Sequence, residues 1–100
     1  MKQFLLDLDK LFENRIRLGI MSILLVNERV EFNTMKELLG VTDGNLASHV
    51  KALEKASYLA VHKSFLGKKP NTKYSATKLG RAAFEKHLNA LERLLNERKK

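Results

Sequence analysis

No cysteine occurs in this 100-residue chain, and that single absence removes disulfides, thiolate nucleophiles and Cys-based zinc sites together. It fits a reducing compartment, and a cytoplasmic location is the expectation. Long apolar runs are missing as well. The stretch from Ile20 to Val26 is interrupted by Ser22 and falls far short of the roughly 20 residues a membrane-spanning helix needs. The opening MKQFLLDLDK sets acids where a secretory signal keeps its apolar run, so no targeting peptide is expected. Glycine is sparse: Gly40, Gly44, Gly67 and Gly80 stand alone, which excludes a phosphate-cradling loop. His49, His62 and His87 lie far apart, with no carboxylate at metal-ligand spacing beyond Glu85 beside His87. Asp7 and Asp9 share neither a helix face nor a glycine-rich neighbour. No serine stands in a recognisable arrangement with histidine and acid. No metal, cofactor or catalytic activity is expected.

Acids are missing from one region in particular. The formal net charge is +8, yet residues 1–54 carry eight acids against seven bases. The excess sits in residues 55–84, where Lys55, Lys63, Lys68, Lys69, Lys73, Lys78 and Arg81 meet no Asp or Glu. Such a field suits a polyanion, although a solvated lysine surface would look the same by charge alone. What remains is ordinary globular composition, 44% hydrophobic and 30% charged, with no repeat or linker. A single domain over residues 1–100 is expected.

Helical spacing dominates the first half. Phe4, Leu5, Leu8, Leu11 and Phe12 recur at three and four residues, and Asn14 can cap a helix with Ile16, Ile20, Ile23 and Leu24 inward. Val30 to Phe32 reads as a strand stub or connector. Asn33 offers a cap for Thr34 to Leu39, and Gly40 ends that helix as a left-handed residue. Thr42 caps the next helix, to about Ala56, whose Leu46, Val50 and Leu53 form a buried stripe about 60° wide. From Tyr58 the period changes to two, and LGKKPNT supplies turn chemistry between two strands. Thr77 opens a last helix to about Glu97. The fold class is mainly α with a small β-hairpin, a winged helix-turn-helix with extra terminal helices.

Function is carried by Leu39-Gly40-Val41-Thr42, a turn of the length that sets two helices at a steep angle and leaves the second prominent. Opposite Leu46, that second helix shows Gly44, Asn45, Ser48, Lys51, Ala52 and Lys55. Short and polar side chains let a helix approach a major-groove floor, where Asn45 and Ser48 can bond base edges or phosphates. An ordinary amphipathic helix would have a similar outer side. The acid-free hairpin that follows at once favours double-stranded DNA, with the helix at about 42–56 in the major groove and the wing at about 58–76 on adjacent backbone or minor groove. Thr42, Lys63, Asn71 and Lys73 complete the expected contact set. His49 borders the buried stripe and is either structural or a DNA contact. Arg81 is either a phosphate contact or the partner of an acid on another helix.

The segment LGVTDGNLASHVKALEKASYLAVHKSFLGKKPNTKYSATKLGRAAF resembles the winged helix-turn-helix core of bacterial and archaeal transcriptional regulators of the MarR and ArsR kind. The wing pattern Lys69-Pro70-x-Thr72-x-Tyr74-x-Ala76-Thr77-x-x-Gly80-Arg81 points to the small branch without an effector domain. The resemblance runs from about Arg15 to Leu95. It implies a homodimer on a roughly palindromic operator, with Gly44, Asn45, Ser48 and His49 on the groove side and Lys68 and Lys69 at the wing tip. Ser57 stands where such domains often have glycine, and Ala76 where leucine is frequent.

Phe84, Leu88, Leu91 and Leu95 follow the spacing of a coiled-coil seam, widened by Leu94. With Phe4, Leu8 and Phe12 they are expected to dimerise the chain through segments 1–13 and 84–100, placing the recognition helices roughly 34 Å apart. Packing within one chain is the alternative. A small-molecule effector, which the sequence does not name, would have to sit at that dimer seam. The other use of the same fold is protein–protein or RNA contact.

Overall fold

The computed structural model describes residues 2–98; residues 1, 99 and 100, at the outer ends of the two expected seam segments, lie outside the described residues. The chain runs α1 (Lys2–Asp7), a 3-10 turn (Lys10–Phe12), α2 (Arg15–Val26), β1 (Val30–Glu31), α3 (Phe32–Leu39), α4 (Asp43–Lys55), β2 (Leu59–Leu66), β3 (Lys69–Ala76) and α5 (Lys78–Arg98). The strands form one antiparallel sheet in the order β1-β3-β2. This is the mainly helical winged architecture expected of the sequence.

Side-chain caps start most of the long helices. Asn14 Oδ1 accepts from the Ile16 and Arg17 amides at 3.0 Å, and Thr42 Oγ1 from the Asn45 amide at 3.2 Å. Thr77 Oγ1 accepts from the Gly80 amide at 2.9 Å and donates to the Ser57 carbonyl at 2.6 Å. Gly40 closes α3 at φ 64°, donating to the Lys36 and Glu37 carbonyls. The start of α3 differs from expectation. It begins at Phe32, ahead of Asn33, with Glu31 as a cap that makes no side-chain bond. The cause is long-range: Val30 and Glu31 pair with Tyr74 and Lys73, so the backbone stays extended until that ladder ends.

Leu46, Val50 and Leu53 of α4 share one core with Ile20, Met21 and Leu24 of α2, joined by Met35, Phe84 and, from the sheet, Val30, Leu59 and Tyr74. Each such side chain contributes about 1.5–3 kcal/mol by leaving water. At one end of this core lies Phe12, its ring stacked on Tyr58 at 5.4 Å and edge-on to Phe84 at 5.0 Å. Buried His87 packs beside it, and its Nδ1 accepts from the Asp9 amide at 2.9 Å. The Tyr58 hydroxyl donates to Asp9 Oδ2 at 2.7 Å. These bonds satisfy the polar groups at this end of the core and tie the N-terminal segment to α5 and the root of the hairpin.

Two expectations about the terminal helices change here. Phe12, Phe84 and Phe4 were expected at a seam between subunits, but all three are buried inside the single chain. The heptad-like stripe of α5 is divided: Phe84, His87 and Ala90 face the chain's own core, while Leu88 and Leu95 stay exposed. Leu8, just past α1, and Leu91 of α5 are half-buried. Arg81, for its part, meets no acid among the described residues; its guanidinium donates to the Leu24 and Leu25 carbonyls and closes the C-terminal turn of α2.

Candidate nucleic-acid interface

The short connection from Gly40 to Thr42 brings α4 out with one long side uncovered. Thr42, Gly44, Asn45, Ser48, Lys51 and Lys55 are all exposed there. Nothing lies within 4 Å of where a Cβ would stand on Gly44, so this turn of helix presents bare backbone. Asp43 is the one acid in the first turn of α4 and would repel phosphates. It is met by Lys36 Nζ of α3 at 2.8 Å. An exposed pair like this adds little stability, but it cancels a negative charge at the helix end that faces outward. Lys36 went unrecognised in the sequence because its partner lies on another helix.

The hairpin is tighter than its composition suggests. Gly67 takes φ 68°, as the first position of a two-residue primed turn requires, and the ladder runs out to Leu66 opposite Lys69. Lys68 therefore occupies the turn, whereas Lys69, Pro70 and Asn71 belong to β3. Pro70 fits because β1 reaches only Lys73 and Tyr74, leaving one side of β3 open at that point. Two large apolar side chains also stand at the tip, Phe65 and Leu66, which charge counting overlooked.

Helix and hairpin share a cleft of about 560 Å³, with Ala47, Val50, Lys51 and Glu54 on one wall and Val61, Lys63, Pro70 and Asn71 on the other. Lys51 and Lys63 thus flank one opening. Asn71 Oδ1 is buried here without a hydrogen-bond partner among the described residues. Burial, and then the Glu54 carboxylate, push the Tyr74 phenol up from its ordinary value. Lys73 is not part of this group. It lies opposite Glu31, in a separate groove bounded by Asn27, Arg29 and Leu38.

His49 is half-buried on the flank of α4 toward α2, where Arg17 Nη1 approaches its Nδ1 at 3.0 Å. Because guanidinium only donates, Nδ1 must accept and the proton of the neutral ring sits on Nε2. Arg17 is itself fixed by donation from Nε to the Leu11 carbonyl at 2.6 Å. Burial, and then the Arg17 charge, hold His49 below its ordinary pKa. Below about pH 6.5 the unfolded chain takes up a proton that the native site resists. Native stability at this site is therefore present above that pH and lost as pH falls through the depressed folded value. Urea midpoints between pH 7 and 5 should fall less for His49→Gln than for the unaltered protein. Parallel curves would remove the Arg17–His49 contact from this account.

Among the described residues no His, Cys, Asp or Glu cluster can hold a metal ion, and no helix is long and apolar enough to cross a membrane. The chain is similar to several known proteins. It is 37% identical over 79 residues to an uncharacterized protein of Methanocaldococcus jannaschii, covering 79% of this chain and 86% of that one. A transcriptional regulator homologue from Pyrococcus horikoshii OT3 superposes with a TM-score of 0.81 at 29% identity, over 87% of this chain and 86% of the other. NadR, in a structure with 4-hydroxyphenylacetate, shares the fold at a TM-score of 0.73 and 16% identity, over 97% and 68% of the two chains. Residues 16–95 match the model of the winged helix DNA-binding domain. With the closely spaced helix pair, the uncovered α4 and the basic hairpin already in place, that match is decisive: the chain belongs to the winged helix DNA-binding domain family.

Proposed function

We propose that the protein is a homodimeric, sequence-specific regulator of transcription, most simply a repressor, that lays α4 in the major groove of double-stranded DNA and its wing on the flanking duplex. The observation that carries this reading is that the uncovered face of α4 ends, at Lys51, on the same cleft that the hairpin enters with Lys63. Asn45 and Ser48 read base edges; Thr42, Lys51, Lys55, Lys63, Lys68 and Lys69 position the phosphates. Asn71 lines the cleft, whereas Lys73 lies in the separate groove and would reach only phosphates beyond it. His49 offers an Nε2–H donor at the flank of the helix.

Dimerisation is supported by Leu5, Leu6, Leu88 and Leu95, exposed by 57%, 80%, 40% and 52% along two helices that pack together. This is more apolar surface than α1 and α5 can cover for each other. A seam there would also be where an effector sits, in keeping with NadR having been seen with a small aromatic acid.

Selection of bound fragments from random duplexes, followed by footprinting, tests the whole reading. A palindrome with half-sites about one helical turn apart is expected. At a site so found, Asn45→Ala or Ser48→Ala should cost about 1–3 kcal/mol if the side chain reads a base. An equal loss on random duplex would reassign it to phosphate positioning. Binding that ignores sequence altogether would remove specific regulation.

A further inference from the structure

We propose that the wing tip is a minor-groove wedge, in which Phe65 enters between base pairs beside the α4 site and partly unstacks them; this rests on the DNA-binding reading above. Phe65 and Leu66 are 72% and 63% exposed at the far end of the hairpin. Lysine alone would serve a wing that only touches phosphates. Two large apolar side chains in open water need a different explanation.

Reach and width both fit. From Val61, half-buried on the body of the domain, to Phe65 the strand advances about 13 Å, while the minor groove is about 7.5 Å deep and 6 Å wide. Two strands roughly 4.8 Å apart, with their side chains, cannot enter whole. A two-residue turn and the side chain beside it can. Strand alternation then selects Phe65 over Leu66. Phe65 shares its face with Val61 and Lys63, which line the cleft beside α4, and Pro70 stands directly across from it as an apolar backing. Leu66 lies on the opposite face, across from Lys69.

The charge around the tip identifies the partner. Lys63, Lys68 and Lys69 surround it, and no acid occurs anywhere from residue 55 to 84, which suits a polyanion. The minor groove offers no thymine methyl to an apolar side chain. The apolar contact it does offer lies between base pairs that have been parted, and proteins that wedge phenylalanine or leucine there recover the unstacking cost by kinking the duplex toward its major groove, which lets it wrap more protein surface. Pyrimidine–purine steps, which unstack most readily, are the expected points of entry.

The chain contains no tryptophan, so Phe65→Trp places a single fluorophore at the tip. On an alternating A·T duplex at low salt its emission should be largely quenched by base stacking. A closed-circular plasmid treated with topoisomerase I in the presence of protein should end at an altered linking number with the unaltered protein and with Leu66→Ala, but not with Phe65→Ala. Phe65→Ala, whose side chain touches no core residue, should melt with the unaltered protein and bind roughly ten-fold more weakly. Its dependence on salt should stay the same, because stacking releases no counterions.

Undiminished tryptophan emission in a complex visible by mobility shift would overturn the wedge and leave DNA binding intact. An unchanged linking number with the unaltered protein, or an equal change with Phe65→Ala, would do the same. Emission altered by phosphatidylserine vesicles but not by duplex would assign the tip to a membrane surface instead. A protein that shifts no duplex at all removes the regulator reading together with this one.

Discussion

Gly80→Ala is expected to lose on the order of 3 kcal/mol of stability or more, and about 15 °C of melting temperature. A Cβ on Gly80 would stand 2.8 Å from the Tyr58 carbonyl carbon and 2.9 Å from its Cα, and closer still to the carbonyl oxygen. Backbone at such distances must move, and Tyr58 has nowhere to go. Its amide donates to the Leu53 carbonyl at 3.0 Å, its carbonyl accepts from the Thr77 amide at 3.2 Å, and its hydroxyl and ring are engaged by Asp9 and Phe12. Gly19→Ala provides the contrast. There the added carbon meets chiefly the Leu39 Cδ2, the tip of a half-buried side chain that can turn aside. Alanine is also the better helix former by about 1 kcal/mol, so little net change is expected. Thermal melts of the two variants side by side decide the matter. A Gly80→Ala protein that melts like Gly19→Ala would mean that α5 is not clamped to Tyr58.

The double variant Lys68→Ala/Lys69→Ala should have the largest effect on binding while leaving the fold unchanged, since both residues are exposed at the end of the ladder. Each phosphate contact contributes about 0.9 to the slope of log affinity against log salt. Two lysines in each half of a dimer would therefore reduce the slope by about 3 to 4, with a loss on the order of a hundred-fold or more at moderate salt. Because phosphates carry no sequence, random and selected duplexes should suffer alike. Titrations at several salt concentrations check this. An unaltered slope would remove the wing from the interface and return the lysines to the role of solubilising charges.

Most of the helical frame could be read in the sequence because its signals are local. Asn14, Thr42 and Thr77 bond amides two or three residues ahead, and Gly40 supplies a left-handed stop. The stripe of Leu46, Val50 and Leu53 names its own buried side. Where the reading failed, the deciding partner is distant. The start of α3 is set by pairing to β3 some 40 residues later. Phe12 and Phe84 have the spacing of a seam, and spacing cannot say whether the covering surface belongs to the same chain. Arg81 binds backbone carbonyls and Arg17 pins His49; a carbonyl has no residue identity to recognise, and a contact between helices leaves no periodic trace. In the wing, Pro70 and Asn71 read as turn residues, yet a tight glycine turn leaves them in a strand whose outer side is open.

Ser57 is where the geometry of a glycine is met by another residue. It takes φ 64°, as its position among related domains suggested, and it delivers the chain from α4 directly into Tyr58. At Tyr58 the end of α4, the root of β2, the start of α5 and the N-terminal segment all converge. A displacement of the start of α5 would therefore reach the end of α4 and the root of the hairpin through one residue. In the dimer proposed above, movement of the terminal helices would carry helix and hairpin together and alter the spacing of the two halves along the duplex.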